Sequence, residues 1–276
     1  MIESDFNNTR EFSKNLRKKI LDLSFYAGSS SSHFGGALSS VEIIATLFNN
    51  IINFDKKNFK DKNRDRFILS KGHGCMVYYA ALNLLGIISN EQLKTFEKDN
   101  SDLPGHPVKN SDLGIDFSTG SLGMGLSLGA GVAMALKKKK LNNKVFVLLG
   151  DGECNEGAVW ETALSAPNLK LNNLTVIIDN NNFQQTGPTN QIMNTNNLEE
   201  KWKSFGWRTS TIDGHDIDKI FNALNDKDDS RPTAIICKTI KGKGFSFSEN
   251  NNEWHHNVMT KKTFDMAIEE LEKNGD

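Results

Sequence analysis

The stretch from residue 145 to residue 183 constrains the fold of this chain more than any other part of its sequence. Two short apolar runs, at residues 145–149 and 174–178, flank a segment of helical length. Continuous apolar runs of this kind are typical of buried parallel strands, and a helix is the usual connection between two of them. The pattern predicts a βαβ unit with a helix over residues 156–166. We expect an α/β fold that has a mostly parallel sheet with helices on both faces.

Polar residues follow both predicted strands. Gly150, Asp151 and Gly152 come directly after the first strand, and Asn180 and Asn181 come at the end of the second. Because the carboxyl ends of parallel strands open on one edge of a sheet, Asp151 and Asn181 should meet there. Carboxylate and amide oxygens suit Mg²⁺ or Ca²⁺, and flanking glycines let backbone N–H groups approach a phosphate. The residues predict a site for a metal ion and a diphosphate.

The simpler interpretation of the same residues is an ordinary turn at each strand end, since Gly-Asp-Gly and runs of asparagine commonly form turns. For the tripeptide alone, that interpretation is the better one. Spacing favours the site, because the thirty positions from Asp151 to Asn181 hold one helix and one returning strand.

Composition narrows the class of protein. The 276 residues include 33 basic and 34 acidic side chains, a balance that gives no reason to expect nucleic acid or an anionic membrane as partner. Cys75, Cys154 and Cys237 lack Cys-x-x-Cys spacing, which favours a reducing compartment over a disulfide framework or a zinc site. No apolar run has the length of a signal peptide core or a membrane span. We expect a cytoplasmic protein with a single domain over residues 1–276.

Three histidines precede the central unit in segments rich in glycine or proline. His33 lies in the Ser/Gly loop 28–36, His73 stands between two glycines, and His106 stands between two prolines in Leu-Pro-Gly-His-Pro. Each has an ordinary explanation as a solvated loop residue or part of a tight turn. Glycine beside a histidine also permits close approach of a bulky group, so both interpretations stay open at this point.

The rest of the pattern predicts further elements around this unit. Ser39 and Ser40 are expected to cap a helix, and the polar residues 184–197 are expected to form an irregular loop that covers the site. Other helices are predicted over residues 12–27, 76–85, 126–136, 198–205, 217–224 and 261–273, and other strands from residue 66 and over 207–212 and 232–240.

Taken together, several stretches resemble the transketolase family, in that family's order and over nearly the whole chain. They are Ser32-His33-Phe34-Gly35-Gly36, Leu69-Ser70-Lys71-Gly72-His73, Leu103-Pro104-Gly105-His106-Pro107, Thr119-Gly120-Ser121-Leu122-Gly123, the run from Gly150 to Asn181, Asp213-Gly214-His215-Asp216, and Trp254-His255. The run from Gly150 to Asn181 is similar to the family's thiamine diphosphate fingerprint. The resemblance thus implies the thiamine diphosphate-binding fold.

The resemblance also implies roles for individual residues. Metal ligands would be Asp151, Asn181 and the backbone carbonyl of Phe183, and His215 would lie in a structural motif that caps a helix. Cofactor contacts would come from His73, Gly120, Leu122, Asp151, Gly152, Glu156 and Asn181. The reacting centre would be lined by His33, His73, His106 and His255. Near neutral pH such imidazoles can move protons and hydrogen-bond sugar hydroxyls.

The activity implied by the resemblance is transfer of a two-carbon ketol unit from a ketose, for example a sugar phosphate, to an aldose acceptor. In the family, the aminopyrimidine end of the cofactor is bound by a further domain. The chain is therefore similar to the N-terminal subunit of a split transketolase, which implies a C-terminal partner subunit carrying the pyrimidine-binding domain, self-association, and a heterotetramer. Met124 and Phe34 depart from the residues common in the family, which leaves the sugar open.

Other functions remain to be weighed. Within the same cofactor class, the chain could serve a deoxyxylulose-phosphate synthase-like or decarboxylase-like enzyme, or a transketolase for a specialised sugar. A catalytically silent regulatory partner is a different class, and the presence of the full histidine set argues against it. A nicotinamide-binding protein is less favoured, because no Gly-x-Gly-x-x-Gly follows the first strand.

Overall fold

The computed structural model describes residues 2–226 and 230–273, with side chains from residue 6 onward. The outermost residues of the predicted domain 1–276 therefore lie outside the described residues. The helices are α1 (Ile2–Ala27), α2 (Phe34–Leu38), α3 (Val41–Thr46), α4 (Cys75–Leu84), α5 (Asn90–Leu93), α6 (Met124–Lys138), α7 (Gly157–Asn168), α8 (Thr189–Ile192), α9 (Leu198–Ser204), α10 (Ile217–Asn225) and α11 (Lys261–Lys273). The strands are β1 (Arg66–Leu69), β2 (Val145–Gly150), β3 (Leu174–Asn180), β4 (Phe183–Gln184), β5 (Gly187–Pro188), β6 (Arg208–Asp213) and β7 (Thr233–Lys238).

Five strands form one parallel sheet in the order β1-β2-β3-β7-β6. The predicted βαβ unit is its centre, because β2 pairs with β3 and α7 connects them. Their register places Gly150 opposite Asp179, so both strands end at the same edge. The predicted α/β fold with a mostly parallel sheet is confirmed.

Helices cover both faces of this sheet. On β2, Phe146 and Leu148 point into a core shared with α1, α4, α10 and α11, whereas Val147 and Leu149 point into a second core shared with α6, α7 and α9. This alternation follows from the two-residue period of a strand. Helix α6 packs so closely on β2 that a Cβ at Gly129 would lie 2.5 Å from the side chain of Val147. The central strands are thereby buried and rigid, and they hold their polar ends in fixed positions.

Three local predictions are wrong. The loop predicted over residues 28–36 gives way to helix at Phe34, where α2 begins. Ser40 does occupy the N-cap position of α3, but its hydroxyl donates to the carbonyl of Gly36 at 3.2 Å instead of capping the helix. The hydroxyl of Ser39 donates to Asp179 at 2.6 Å. Both serines are fully buried; the hydroxyl of Ser40 bonds back to the preceding turn, and that of Ser39 bonds to a residue 140 positions away.

The third wrong prediction concerns residues 184–197, for which the sequence pattern predicts an irregular loop. They contain part of a two-stranded antiparallel hairpin, β4 with β5, followed directly by α8. The turn of this hairpin is allowed by Gly187, which has a φ of 156°. Among the described helices, none is both long and apolar enough to cross a membrane.

Candidate active site

The carboxylate of Asp151 stands at the carboxyl edge of the sheet and is only 2% exposed. It accepts hydrogen bonds from the backbone N–H groups of Gly152 at 2.9 Å and Asn182 at 2.8 Å, and from the hydroxyl of Thr189 at 3.2 Å. The strand ends that carry Asp151 and Asn181 are therefore in contact, as the parallel arrangement predicts. Burial and the nearby carboxylate of Asp179 raise the pKa of Asp151 to about 6. A cation beside this carboxylate would offset both effects.

Asn181 lies beside Asp151 and is also buried. Its side-chain oxygen accepts from the backbone N–H of Phe183 at 3.1 Å, which bends the chain immediately after β3. Its amide group donates to Asp179 at 3.2 Å. These bonds fix which end of the amide is the oxygen and keep that oxygen on the side of the turn at residues 181–183.

A buried ion pair that the sequence pattern does not predict lies next to the carboxyl edge of the sheet. Lys71 and Asp179 are both fully buried and form a direct ion pair, and Lys71 also donates to the carbonyl of Gly36 at 2.8 Å. Burial alone would raise the pKa of Asp179, but Lys71 and hydrogen bonds from Ser39 and Thr239 outweigh it and lower the pKa. Charges this deeply buried persist only when they are paired.

Glu153 is a second buried carboxylate near the same turn. It accepts from Ser70, from the N–H of Gly123 at 2.8 Å, and from the N–H of Gly150 at 3.1 Å. Burial raises its pKa despite these bonds. Glu153 thus ties the loop before α6 to the ends of β1 and β2.

The predicted histidines converge on one small space. The ring centroid of His33 lies 5.6 Å from that of His73, 5.5 Å from His106 and 5.4 Å from His255. His73 and His255 are stacked with centroids 5.6 Å apart. A fifth ring, that of His256, lies 4.4 Å from His33, and the sequence pattern does not predict it. Residues more than 200 positions apart therefore form one cluster.

The four predicted imidazoles, those of His33, His73, His106 and His255, are held in the neutral form. Burial, followed by the neighbouring rings, lowers the pKa of His33 to about 3, and burial followed by Lys241 and Lys71 does the same for the pKa of His255. The pKa of His73 is lowered well below its ordinary value and that of His106 is also lowered, in both cases mainly by burial. A neutral imidazole has one nitrogen that can accept a proton and one that can donate.

Lys241 is a second buried lysine, 1% exposed, that borders the cluster. Its ammonium group lies 2.8 Å from Nδ1 of His255 and 2.8 Å from the side-chain oxygen of Asn252, and 5.5 Å from the ring centroid of Phe183. Burial and the charge of Lys71 lower the pKa of Lys241 to about 8, so it stays protonated at neutral pH. Since an ammonium group only donates, Nδ1 of His255 accepts and the ring proton resides on Nε2.

Glycines allow the segments around His73 to approach one another. A Cβ at Gly36 would lie 3.1 Å from the ring of His73, and one at Gly72 would lie 2.7 Å from the backbone nitrogen of Gly120. Gly120 has a φ of 135°, and a Cβ there would lie 3.0 Å from the ring of His106. The predicted residue Gly120 thus lies between the ring of His106 and Gly72, the residue that precedes His73. A side chain at Gly36, Gly72 or Gly120 would clash with these neighbours.

The other predicted residues lie around the same turns. Gly152 is covered by the side chain of Gln184, since a Cβ at Gly152 would lie 2.8 Å from it. Leu122 is half-buried in the loop before α6, and Glu156 is exposed at the N-terminal boundary of α7, where its Cβ lies 2.6 Å from the place that a Cβ on Gly123 would take. Their side chains make no hydrogen bond with the histidine cluster among the described residues.

His215 has a structural position, but it does not cap a helix. Its Nε2 accepts from the backbone N–H of Ile240 at 2.8 Å, so its Nδ1 carries the proton and donates to Glu42 at 2.8 Å. The cap of α10 comes from Asp216, whose carboxylate accepts from the N–H of Lys219 at 3.1 Å. The motif Asp213-Gly214-His215-Asp216 therefore does cap a helix, as the resemblance implies, and Asp216 is the residue that supplies the cap.

Comparison with known proteins matches this chain to one family and to subunits of two enzymes named as transketolases. Residues 13–272 match the family described as transketolase, thiamine diphosphate binding domain. An apulose-4-phosphate transketolase subunit of Actinobacillus succinogenes is 39% identical over 267 residues, which are 96% of this chain and 96% of the relative. A 6-deoxy-6-sulfo-D-fructose transketolase subunit of a Clostridium species is 40% identical over 245 residues, which are 88% of this chain and 89% of the relative.

A solved structure extends the match to three dimensions. The crystal structure of transketolase from Campylobacter jejuni superposes with a TM-score of 0.85 at 28% sequence identity, covering 98% of this chain and 43% of the other. The chain thus spans most of the length of the two relatives that are named as subunits, and less than half of the solved transketolase.

Proposed function

The chain belongs to the transketolase family through its thiamine diphosphate-binding domain, and on that premise we propose that it is one subunit of a two-component transketolase. It binds thiamine diphosphate with a divalent metal and, together with a partner subunit, transfers a two-carbon ketol unit from a ketose to an aldose. The observation that carries this proposal is the meeting of the Asp151 edge with the histidine cluster. Lys241 joins them directly, because it lies between Phe183 and His255. Lys71 pairs with Asp179 and donates to the carbonyl of Gly36, and Gly36 lies against the ring of His73.

The residues at the sheet edge fit a metal and a diphosphate. Asp151 is a buried carboxylate with a like charge nearby, an arrangement that a divalent cation would stabilise. The side-chain oxygen of Asn181 and the backbone carbonyl of Phe183 are the further oxygen donors of the turn. This donor set suits Mg²⁺, or Ca²⁺, with phosphate oxygens completing the coordination. Backbone N–H groups near Gly152 and Gly120, with Leu122, Glu156 and His73, would contact the cofactor.

The histidines supply proton transfer and hydrogen bonding to the sugar. When bound, thiamine diphosphate supplies the nucleophile that attacks the ketose carbonyl and the electron sink that allows the C2–C3 bond to break. A neutral imidazole among His33, His73 and His106 can take the proton of the C3 hydroxyl as that bond breaks, and return it to the acceptor aldose. His255 acts as a hydrogen-bond donor through Nε2, because Lys241 occupies its Nδ1.

A second chain is required in this proposal. Two of the relatives above are named as subunits, and the pyrimidine-binding domain of transketolases would come from the partner chain. Exposed apolar side chains next to the site give the partner a surface: Ile192 and Met193 are 48% and 58% exposed, and Met124 is 49% exposed at the start of α6. Met193 lies at the edge of the site, since its carbonyl accepts at 3.3 Å from the side chain of Gln184, which covers Gly152. We place the complex, as a heterotetramer, in the cytoplasm, consistent with three free cysteines.

The test is a ketol-transfer assay with thiamine diphosphate, Mg²⁺ and a ketose phosphate donor. It is performed on this chain alone and on this chain co-expressed with the polypeptide encoded beside it. Transfer by the pair and not by the single chain supports the proposal. A stable pair that binds the cofactor but transfers nothing from any ketose tested would contradict it and favour a regulatory role.

A further inference from the structure

Three side chains without a role in the mechanism above line the outer side of the histidine cluster. They are Ser31, Glu97 and His256, which we call the rim. His256 is exposed, and its ring lies 4.4 Å from that of His33. The hydroxyl of Ser30 donates to the backbone carbonyl of Glu97 at 3.5 Å, so the segment that carries Ser31 also lies against the segment that carries Glu97.

Ser31 holds His256 in this position. The Ser31 hydroxyl lies 3.1 Å from the ring nitrogens of His256. The two loops are also pinned by a pair of backbone hydrogen bonds between Ser32 and Asn257, of 3.0 and 3.1 Å. Ser31 has a φ of 61° and a ψ of 177°, a strained conformation that is almost confined to glycine. A serine at this position therefore needs a reason, and its hydroxyl supplies one.

Glu97 adds a carboxylate to the same opening. An ideal Cβ on Gly105 would lie 1.8 Å from its Oε1, so the carboxylate lies directly against the residue that precedes His106. Burial raises the pKa of Glu97, and His256 opposes this effect. Among the described residues, no group donates a hydrogen bond to this carboxylate or forms an ion pair with it. Its hydrogen-bonding capacity is thus available at the mouth of the site.

Resting on the proposed function, we propose that the rim is a subsite that recognises the hydroxyl groups of the sugar beyond the transferred two-carbon unit. An imidazole, a hydroxyl and a carboxylate can together donate to and accept from successive hydroxyls of an open-chain sugar. The negative charge of Glu97 also disfavours an anionic group at this point. The rim therefore directs any phosphate or sulfonate of the substrate away from this side of the opening.

Two donor substrates distinguish recognition of sugar hydroxyls by the rim from a purely structural role of the rim. Cleavage of the C2–C3 bond of D-fructose 6-phosphate leaves a four-carbon aldose phosphate, whose hydroxyls the rim would contact. Cleavage of the corresponding bond of hydroxypyruvate releases CO₂ and leaves the same two-carbon unit, with no hydroxyls beyond it. In both cases the unit passes to an added aldose, such as glycolaldehyde.

The experiment measures kcat and KM for both donors with the reconstituted pair, using the variants His256→Ala and Glu97→Gln. We expect kcat/KM for fructose 6-phosphate to fall about tenfold, mainly through KM, as expected for the loss of one such hydrogen bond. The loss with hydroxypyruvate should be much smaller, and Glu97→Gln could only favour this anionic donor. The matched control is Glu253→Gln, an exposed glutamate near His255, which should leave both donors within about twofold of the wild type.

The outcomes distinguish the rim from the proposed function. Equal losses with both donors would mean that the rim only positions His33, and unchanged values with fructose 6-phosphate would mean that it contacts no substrate; either result overturns the inference and leaves the proposed function intact. Failure of the wild-type pair to transfer from hydroxypyruvate, from fructose 6-phosphate and from every other ketose tested would overturn both.

Discussion

The ammonium group of Lys241 lies 2.8 Å from Nδ1 of His255. This contact decides the chemistry of the ring, because it leaves Nδ1 as acceptor and puts the proton on Nε2. His255 can then donate a hydrogen bond into the cluster but cannot serve as the base there. The tautomer of His255 is set only because the fold buries the long side chain of Lys241 and places its ammonium group against Nδ1. A lysine that is merely adjacent to a histidine in sequence would not be held in that position.

Replacing Lys241 by methionine should remove the contact that sets the tautomer of His255. Met has a similar length and no donor, so Nδ1 of His255 loses its partner and the ring can adopt either tautomer. We expect ketol transfer by the reconstituted pair to fall at least about tenfold, and ¹⁵N NMR of the isolated chain to show the change in His255. Lys243→Met, in the same loop, is the control, because Lys243 pairs with Glu249 instead. A His255 spectrum that does not change would contradict the assignment.

Asp151→Asn should abolish metal-dependent cofactor binding without unfolding the chain. The amide keeps the volume and one hydrogen-bond acceptor, but it removes the only charge among the three proposed ligands. We expect the apparent Kd for thiamine diphosphate with Mg²⁺ to rise at least about 100-fold, measured by calorimetry on the pair. The chain should stay folded with a lower melting temperature, because the new NH₂ group faces one of the two backbone N–H groups that now donate to Asp151. Asp112→Asn, at an exposed position, serves as control. Unchanged affinity would remove the metal assignment.

His106→Ala should reduce turnover while sparing the cofactor. His106 is packed against Gly120 and contacts His33, at a distance from the Asp151 turn. Loss of a group that transfers protons typically costs about 100-fold or more in kcat. The measurement is kcat of the reconstituted pair alongside the Kd for thiamine diphosphate, which should stay close to the wild-type value. Full activity would exclude His106 from the catalytic set.

Ser31→Gly should stabilise the chain while impairing the reaction. Glycine adopts the observed φ of 61° without strain, so the free energy of unfolding should rise by about 1 kcal/mol. The same change removes the hydroxyl that bonds to His256, so the KM for fructose 6-phosphate should rise. Denaturant unfolding of the isolated chain measures the first effect. Destabilisation by Ser31→Gly would show that the backbone at this position is not strained.

Stability should fall on mild acidification. The folded-state pKa values of His33 and His255 are about 3, well below the value of 6.5 expected in the unfolded chain. Because the unfolded state binds these protons first, the stability contributed by the neutral rings is complete above about pH 6.5 and is lost as the pH falls toward 3. Between about pH 6.5 and pH 5 the loss is up to about 2 kcal/mol for each ring.

Denaturant unfolding at several pH values measures this slope. The variant His33→Asn removes one of the two rings and should show a clearly shallower dependence on pH. A free energy of unfolding that does not change between about pH 7 and pH 5 would contradict the buried, neutral state of the cluster.

Local sequence could predict the sheet edge because strand and helix periods act over short distances. The apolar runs of β2 and β3 specify two buried strands, and a parallel pair has only one arrangement of its carboxyl ends. Asp151 and Asn181 therefore could be placed together from their positions alone. The histidines at 33, 73, 106 and 255 could be grouped only through resemblance to a family, since nothing in their spacing predicts contact.

The sequence pattern does not predict Lys71, Asp179 or His256 as residues of the site, because nothing in their local sequence shows what they contact. Lys71 and Asp179 are 108 positions apart, and each lies in a segment that has the pattern of a strand end or a turn. A buried charge is recognisable only when its partner is known, because either residue alone would favour solvent. His256 escapes prediction because two adjacent histidines in a loop give no indication of which ring faces the cluster.

By itself, the amino-acid sequence determined the α/β fold, the parallel centre of the sheet, and the polar groups at its carboxyl edge, because backbone geometry and side-chain period act within a few residues. Only the tertiary structure decided which charges are paired, which tautomer His255 adopts, and that the hydroxyl of Ser39 bonds to Asp179. These depend on burial and on contacts between distant segments. The electrostatics of a buried group are set by whatever the fold packs around it, and no local pattern encodes that.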